Sequence, residues 1–150
     1  MTGYLFGLLV ALLAGAAMAI QGSINSLLSK NIGLLETTLL VHAVGLVFLG
    51  GLFALQLGNG NLAEIGKAPW YSYLGGVLGV IIVYGVVVAI LRAGVANATT
   101  AIIVSQLTTA LIVDHFGLFG LETIHFNWYK LAGLILLAAG SYLVLGMGNN

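Results

Sequence analysis

The chain has 150 residues, of which 61% are hydrophobic and 5% are charged, with four basic and four acidic side chains and no net charge. Soluble domains are about one quarter charged, and eight charges could not cover the surface of a water-soluble fold of this length. The composition therefore excludes a soluble domain and predicts an integral membrane protein. The chain contains no cysteine, which excludes disulfides and thiol chemistry.

Five segments are apolar over the roughly 20 residues that a helix needs to cross a bilayer. None of them alternates polar and apolar residues as a membrane strand does. In lipid, every backbone N–H and C=O must find a partner within the protein, which an α-helix provides within its own segment. With strands excluded, the segments are predicted to be helices. The sequence predicts an all-α integral membrane protein, with one transmembrane domain over residues 1–150. The predicted helices cover approximately 4–28, 33–57, 70–92, 96–114 and 128–147.

The first predicted helix ends in a polar stretch, AMAIQGSINSLL, at residues 17–28. Gln21 and Asn25 are four residues apart, which places them on one helix face. An amide both donates and accepts hydrogen bonds, so this pair could hold a small polar solute in a wet cavity. The alternative role is hydrogen bonding between helices, worth about 0.6–2 kcal/mol per bond in a membrane.

Small residues recur every fourth position along the same helix, at Gly7, Ala11, Gly15, Ala19 and Ser23. Small residues mark helix contacts in lipid because they allow the backbones to approach closely. The stripe predicts that the first helix is central and tightly packed. No basic residue precedes this apolar run, which favours a retained first span over a cleaved signal peptide.

The second predicted helix carries Glu36 near its start and His42 six residues later, about 9 Å along the axis at 1.5 Å per residue. Ionisable groups at such depth usually face a cavity, and imidazole changes charge near neutral pH. His42 is therefore a candidate for substrate binding or proton coupling, and Glu36 for a cation or proton site. The alternatives are a neutral histidine bonded to a backbone carbonyl and an acid that favours the helix start.

The third and fourth predicted helices add Tyr84, Ser105, Gln106 and Asp114. Tyr84 lies at mid-membrane, where its hydroxyl needs a partner. Ser105 and Gln106 make the fourth helix too polar to face lipid broadly, although hydroxyls can bond to their own backbone. Asp114 is a candidate coupling site, with an interfacial helix cap as its alternative.

The basic residues give no preferred orientation. With five crossings, the side of the N-terminus (side A) receives Lys67 and Lys130, and the other side (side B) receives Lys30 and Arg92. The positive-inside rule then favours neither orientation, as expected of a chain that inserts both ways or whose topology is set by another factor. Interfacial aromatic residues crowd onto side A, at Tyr4, Trp70, Tyr71, Tyr73, Trp128 and Tyr129.

Four segments occur in an order that resembles a known family: QGSINSLL with SKNIG, PWYSYLGGVLGVIIV, SQLTTALIVDHFGLFG and KLAGLILLAAGSYLVLG. Together they are similar to the YdcZ-like branch of the drug/metabolite transporter superfamily, over nearly the whole chain. The resemblance implies a half-transporter of five helices whose opposed copies form an inverted-repeat dimer. It implies no particular ligand.

The sequence therefore predicts a secondary transporter, working as an exporter of small polar or cationic metabolites or drugs across the bacterial inner membrane. Alternating access would occur in an antiparallel homodimer, or in a pair with a paralogue. The candidate substrate-binding residues are Gln21, Asn25, His42, Tyr84, Ser105 and Gln106, and the candidate coupling residues are Glu36, His42 and Asp114.

Two alternatives from other classes stay open, namely a structural or accessory membrane subunit and a small channel. An enzyme is not expected, because no nucleophile–base pair is recognisable. No metal, cofactor or nucleic acid is expected either, since the histidines are not clustered and no P-loop, dinucleotide motif or basic patch occurs.

The balanced basic residues predict that one chain inserts in both orientations. Reporters fused in turn to each terminus should therefore give signals on both membrane faces. Adding one lysine beside Lys30 should bias the chain toward the orientation with side B in the cytoplasm. A single fixed orientation of the unmodified chain would contradict the prediction.

Overall fold

The computed structural model describes residues 2–146, and every long element in that range is a helix. The five long helices are α1 (Thr2–Ile32), α2 (Leu34–Ala54), α3 (Leu74–Ala93), α4 (Val95–Phe116) and α5 (Trp128–Gly146). Short 3-10 turns occupy Leu62–Lys67, Trp70–Tyr73 and Leu118–Gly120. Each long helix contains a stretch apolar enough to cross a membrane. The predicted all-α fold with five membrane spans is confirmed.

Helix α1 is longer than predicted. It has 31 residues, or about 46 Å at 1.5 Å per residue, whereas the hydrocarbon core is roughly 30 Å thick. The prediction ended the helix near residue 28 because the next residues, Ser29, Lys30 and Asn31, are polar. A helix can continue through polar residues once it leaves the hydrocarbon, so α1 ends only at Gly33.

Two of the helix connections consist of a single glycine. Gly33 joins α1 to α2 with φ 97°, and Gly94 joins α3 to α4 with φ 81°. Residues with a Cβ rarely adopt this backbone conformation. At Gly33 the helical bonding is interrupted for one residue only, because its N–H donates to the Ser29 carbonyl at 3.0 Å and its own carbonyl accepts from the Thr37 N–H at 3.1 Å.

Helices α1, α2 and α3 belong to one compact unit, which ends at Arg92. Helix α1 packs on α2, and α3 reaches α1 at Gly22, where a Cβ would lie 2.8 Å from Ile90 Cδ1 and 2.9 Å from Val86 Cγ1. The buried residues of the three helices, apart from glycine, are mainly small and polar: Asn25, Ser26, Ser29, Thr37, Thr38, Val87 and Ile90. The core therefore lies toward side B, near the α1–α2 connection.

The stripe of small residues on α1 is not where the described chain packs. Gly7 and Gly15 have no atom within 4 Å of an added Cβ, and Ala11 is exposed. The prediction of a helix packed along the whole stripe is therefore wrong for the single chain. Among the described residues of the α1–α3 unit, α1 is buried only near its C-terminal end, where the one-residue connection holds α2 beside it.

Helices α4 and α5 form the second compact unit, which begins at Ala93. They pack on each other, and the turn Leu118–Gly120 packs on α4. Helix α4 ends at Gly117 in the left-handed conformation, and Phe119 also has a positive φ of 60°. In both units most large apolar side chains are exposed, as expected for helices in contact with lipid.

The close approach at Gly22 predicts a stability effect. Gly22→Leu would push Ile90 and Val86 away from α1, and overpacking of this kind typically costs about 1–3 kcal/mol. We expect a lower unfolding temperature in detergent micelles. Gly85→Leu is the matched control, because nothing lies within 4 Å of a Cβ added at Gly85. Equal losses in the two variants would contradict the contact.

Candidate functional site

The hydroxyl groups in the core of the α1–α3 unit are satisfied by their own helices. Ser26 Oγ donates to the Gly22 carbonyl at 2.8 Å, and Thr37 Oγ1 donates to the Gly33 carbonyl at 2.7 Å. Ser29 and Thr38 do the same, to carbonyls three and four residues earlier. Because these hydroxyl donors are already used, the side chains act as small packing groups. Only their oxygen atoms could still accept a hydrogen bond from a solute.

Asn25 differs from these hydroxyls. Its side chain is only 4% exposed, yet within residues 2–146 no hydrogen-bond partner is found for its amide. In that same range no buried side-chain nitrogen or oxygen is both sealed from solvent and unpaired. The Asn25 amide therefore keeps a small opening to its surroundings. An unpaired buried polar group costs about 1–3 kcal/mol, so a solute or water that bonds this amide would be stabilised.

His42 is half-buried on α2, and its Nδ1 lies 2.7 Å from the Thr38 carbonyl. Since a carbonyl only accepts hydrogen bonds, Nδ1 carries the proton, and in the neutral ring Nε2 is an acceptor. On α3, Gly79 has no side chain that could fill the space beside this atom, and a Cβ built there would lie 3.7 Å from Nε2. The backbone bond of the alternative interpretation is thus present, and Nε2 remains available to a proton or a donor group.

The other candidates of this unit are exposed. Gln21 is exposed although it is one turn from buried Asn25, because the packed face of α1 passes through Gly22 instead. Tyr84 is 41% exposed. Glu36 is exposed at the start of α2, and a Cβ at Gly33 would collide with its carboxylate. The structure therefore buries Asn25, half-buries His42 and leaves the other three exposed.

The candidates on α4 belong to the second unit. Ser105 and Gln106 are exposed, and Asp114 is half-buried. The Asp114 carbonyl accepts from the Ile124 N–H at 2.8 Å and from the Gly117 N–H at 3.4 Å. The backbone of Asp114 thus closes the turn that follows α4. The choice between a coupling site and a helix cap for its side chain stays a prediction.

Sequence reasoning missed the small residues that surround the candidates. Ser26, Ser29, Thr37 and Thr38 are buried, and the serine spacing of three residues in SINSLLS was the available signal. Gly79 was not among the sequence candidates, whereas the structure places it beside the His42 imidazole. Among the described residues, no group of three histidine, cysteine, aspartate or glutamate side chains could hold a metal ion.

Comparison with known families gives a match over most of the chain. The family model described as "Putative inner membrane exporter, YdcZ" matches residues 6–143. The matched range includes parts of all five helices and every candidate residue. No curated protein matches the chain, and no solved structure does.

The unpaired amide predicts an unusual stability result. Asn25→Leu keeps the branching of the side chain at Cγ and removes only the polar atoms, so the free energy of unfolding should stay the same or rise. Val87→Asn, which places an amide at a fully buried position of the same unit, should lower it by about 1–3 kcal/mol. Both can be measured by chemical unfolding in micelles. A loss above about 1 kcal/mol in Asn25→Leu would indicate a hydrogen bond between helices.

Proposed function

The chain belongs to the YdcZ family of inner-membrane exporters, and from this premise we propose that it is a secondary transporter that exports small polar or cationic metabolites or drugs. It is a multi-pass protein of the inner membrane. The Asn25 amide is the main support that this chain itself gives to the proposal, because it is buried and has no partner within the described residues. A binding group must be unused by the protein before it can bind a solute.

The chemistry of Asn25 and His42 suits polar and cationic solutes. The Asn25 amide offers donors and an acceptor together, and the neutral His42 ring offers an acceptor at Nε2. An ammonium group can donate to either acceptor. His42 can also accept a proton at Nε2 without breaking its bond to Thr38, which makes it the leading candidate for proton coupling. Gln21, Tyr84, Ser105 and Gln106 are proposed as further binding residues, and Glu36 and Asp114 as further coupling residues.

The proposed assembly is an antiparallel homodimer. Two opposed copies would form the inverted repeat that many transporters use, with the binding site near the centre of the membrane and access alternating between its two faces. Two observations support it. Basic residues are balanced between the sides, and the small residues Gly7 and Gly15 have open space beside them in the single chain. A second copy could pack closely there.

The source of energy is proposed to be an ion or substrate gradient. The sequence contains no phosphate-binding motif for ATP. Movement of a proton through His42 against the exported solute would supply the coupling.

Transport should be measured with purified protein in liposomes, using a panel of small polar and cationic solutes and a proton gradient. We expect saturable flux for at least one solute and a loss of tenfold or more in Asn25→Leu, equivalent to about 1.4 kcal/mol, while the variant remains folded. The matched control is Asn31→Leu, because Asn31 is an exposed amide on the same helix that bonds to the Leu27 carbonyl.

The outcomes separate the proposal from its alternatives. Flux that rises linearly with solute concentration would favour a small channel. Absence of flux across the panel, together with lower stability in Asn25→Leu, would favour a structural or accessory subunit. His42→Gln should retain a polar side chain but abolish the dependence of flux on the proton gradient. An unchanged gradient dependence would remove His42 from the coupling step.

A further inference from the structure

A cleft of about 350 Å³ lies in the α4–α5 unit, where α4 ends. Its walls come from α4, from α5 and from the segment that connects them. The lining residues are Thr108, Leu111, Ile112, His115, Phe116, Phe126 and Leu134. This volume is at the lower end of the roughly 300–1,000 Å³ that ligand pockets occupy, and a mainly apolar lining with a few polar groups is typical of them.

His115 gives the cleft a defined polar group. The Phe126 N–H lies 3.3 Å from His115 Nδ1, so Nδ1 acts as an acceptor and the neutral ring carries its proton on Nε2. The Nε2–H donor has no partner among residues 2–146. The other polar lining group, the Thr108 hydroxyl, already donates to the Val104 carbonyl at 2.8 Å. The cleft therefore presents one free donor, which suits a ligand with a hydrogen-bond acceptor.

The connecting segment holds the cleft in shape. The Ile124 N–H donates to the Asp114 carbonyl, and the Phe126 N–H donates to His115, so two residues of the segment are fixed to the last turn of α4. A second imidazole, His125, lies edge-on to His115 with ring centroids 6.2 Å apart. Asp114 and Glu122 are the acids of this region, and neither lines the cleft. The polar end of the cleft is thus lined by an imidazole, and no carboxylate is among the lining residues.

The position along α4 sets the depth of the cleft in the membrane. The lining runs from Thr108 to Phe116, about 12 Å along the helix at 1.5 Å per residue. Phe116 ends the helix, and α5 begins at Trp128 and Tyr129, aromatic residues of the kind that lie at the membrane–water interface. The polar end therefore lies near the headgroups, and the apolar end points into the hydrocarbon.

From this arrangement we propose that the cleft binds a single-chain amphiphile with a carboxylate head, such as a free fatty acid of the surrounding bilayer. The carboxylate accepts the His115 Nε2–H bond, and the chain lies between Leu111, Ile112 and Leu134. A two-chain phospholipid would exceed the volume, and a cationic head would meet a donor instead of an acceptor. The lining residues of the cleft belong to the α4–α5 unit, whereas the proposed transport residues Asn25 and His42 belong to the other unit.

The test uses a fatty acid with a photoreactive diazirine in its chain, added to the purified protein in lipid nanodiscs. We expect labelling to map to peptides within residues 108–134. The methyl ester of the same acid should label about tenfold less, a difference of about 1.4 kcal/mol, because charge-assisted hydrogen bonds are the stronger ones. Unlabelled fatty acid should compete with the probe, whereas a tenfold excess of anionic phospholipid should not.

Variants separate the chain contact from the head contact. Leu134→Trp should fill the cleft and reduce labelling about tenfold, whereas Leu136→Trp, at a side chain 72% exposed on the same helix, should not. His115→Gln keeps an amide donor near the Nε2 position and should retain the preference for the acid over the ester. His115→Asn keeps an acceptor near Nδ1 for Phe126 and should lose that preference.

Three results would overturn the proposal. They are equal labelling by acid and ester, equal loss in the two tryptophan variants, and displacement of the probe by phospholipid. The measurement concerns binding alone, so its outcome does not depend on whether the protein transports a solute.

Discussion

Bonds between side-chain hydroxyls and carbonyls of the same helix allow this chain to place polar residues inside a membrane. A hydroxyl without a partner would be costly in hydrocarbon. Here the serines and threonines of α1 and α2 donate to carbonyls three or four residues earlier. Once satisfied, such a hydroxyl packs like a small apolar group. The core near Gly33 can therefore be polar in composition and still be compatible with lipid.

Asn25 and His42 differ from these serines and threonines, because each keeps a polar atom that its own helix does not use. The amide of Asn31 donates to the Leu27 carbonyl one turn earlier, whereas no such bond is found for Asn25 among the described residues. The His42 imidazole has two nitrogens, of which only Nδ1 bonds to Thr38. In a structure where the hydroxyls are satisfied locally, these remaining atoms are the contacts that the proposed function assigns to a solute. The proposed site thus consists of polar atoms that the helices leave unpaired within the described residues.

The number and type of the helices could be predicted from the sequence. The thickness of the bilayer sets the length of a spanning helix at about 20 residues, and apolar segments of that length can be read directly. Which helix faces pack could not. Gln21 and Asn25 share a face by spacing, yet only Asn25 is buried, since the contact of α3 with Gly22 decides which side of α1 is covered. The cleft beside His115 was also hidden, because it depends on how the segment after α4 folds back onto the helix.

The single-glycine connection at Gly33 also bears on motion. With no spare residue between them, α1 and α2 cannot slide past each other by a helical turn, a shift of about 5.4 Å, without breaking the bonds that Gly33 makes to Ser29 and Thr37. The connection therefore fixes the axial register of α1 and α2, whatever the angle between them. Asn25 on α1 and His42 on α2 are thus kept at set levels along the two joined helices.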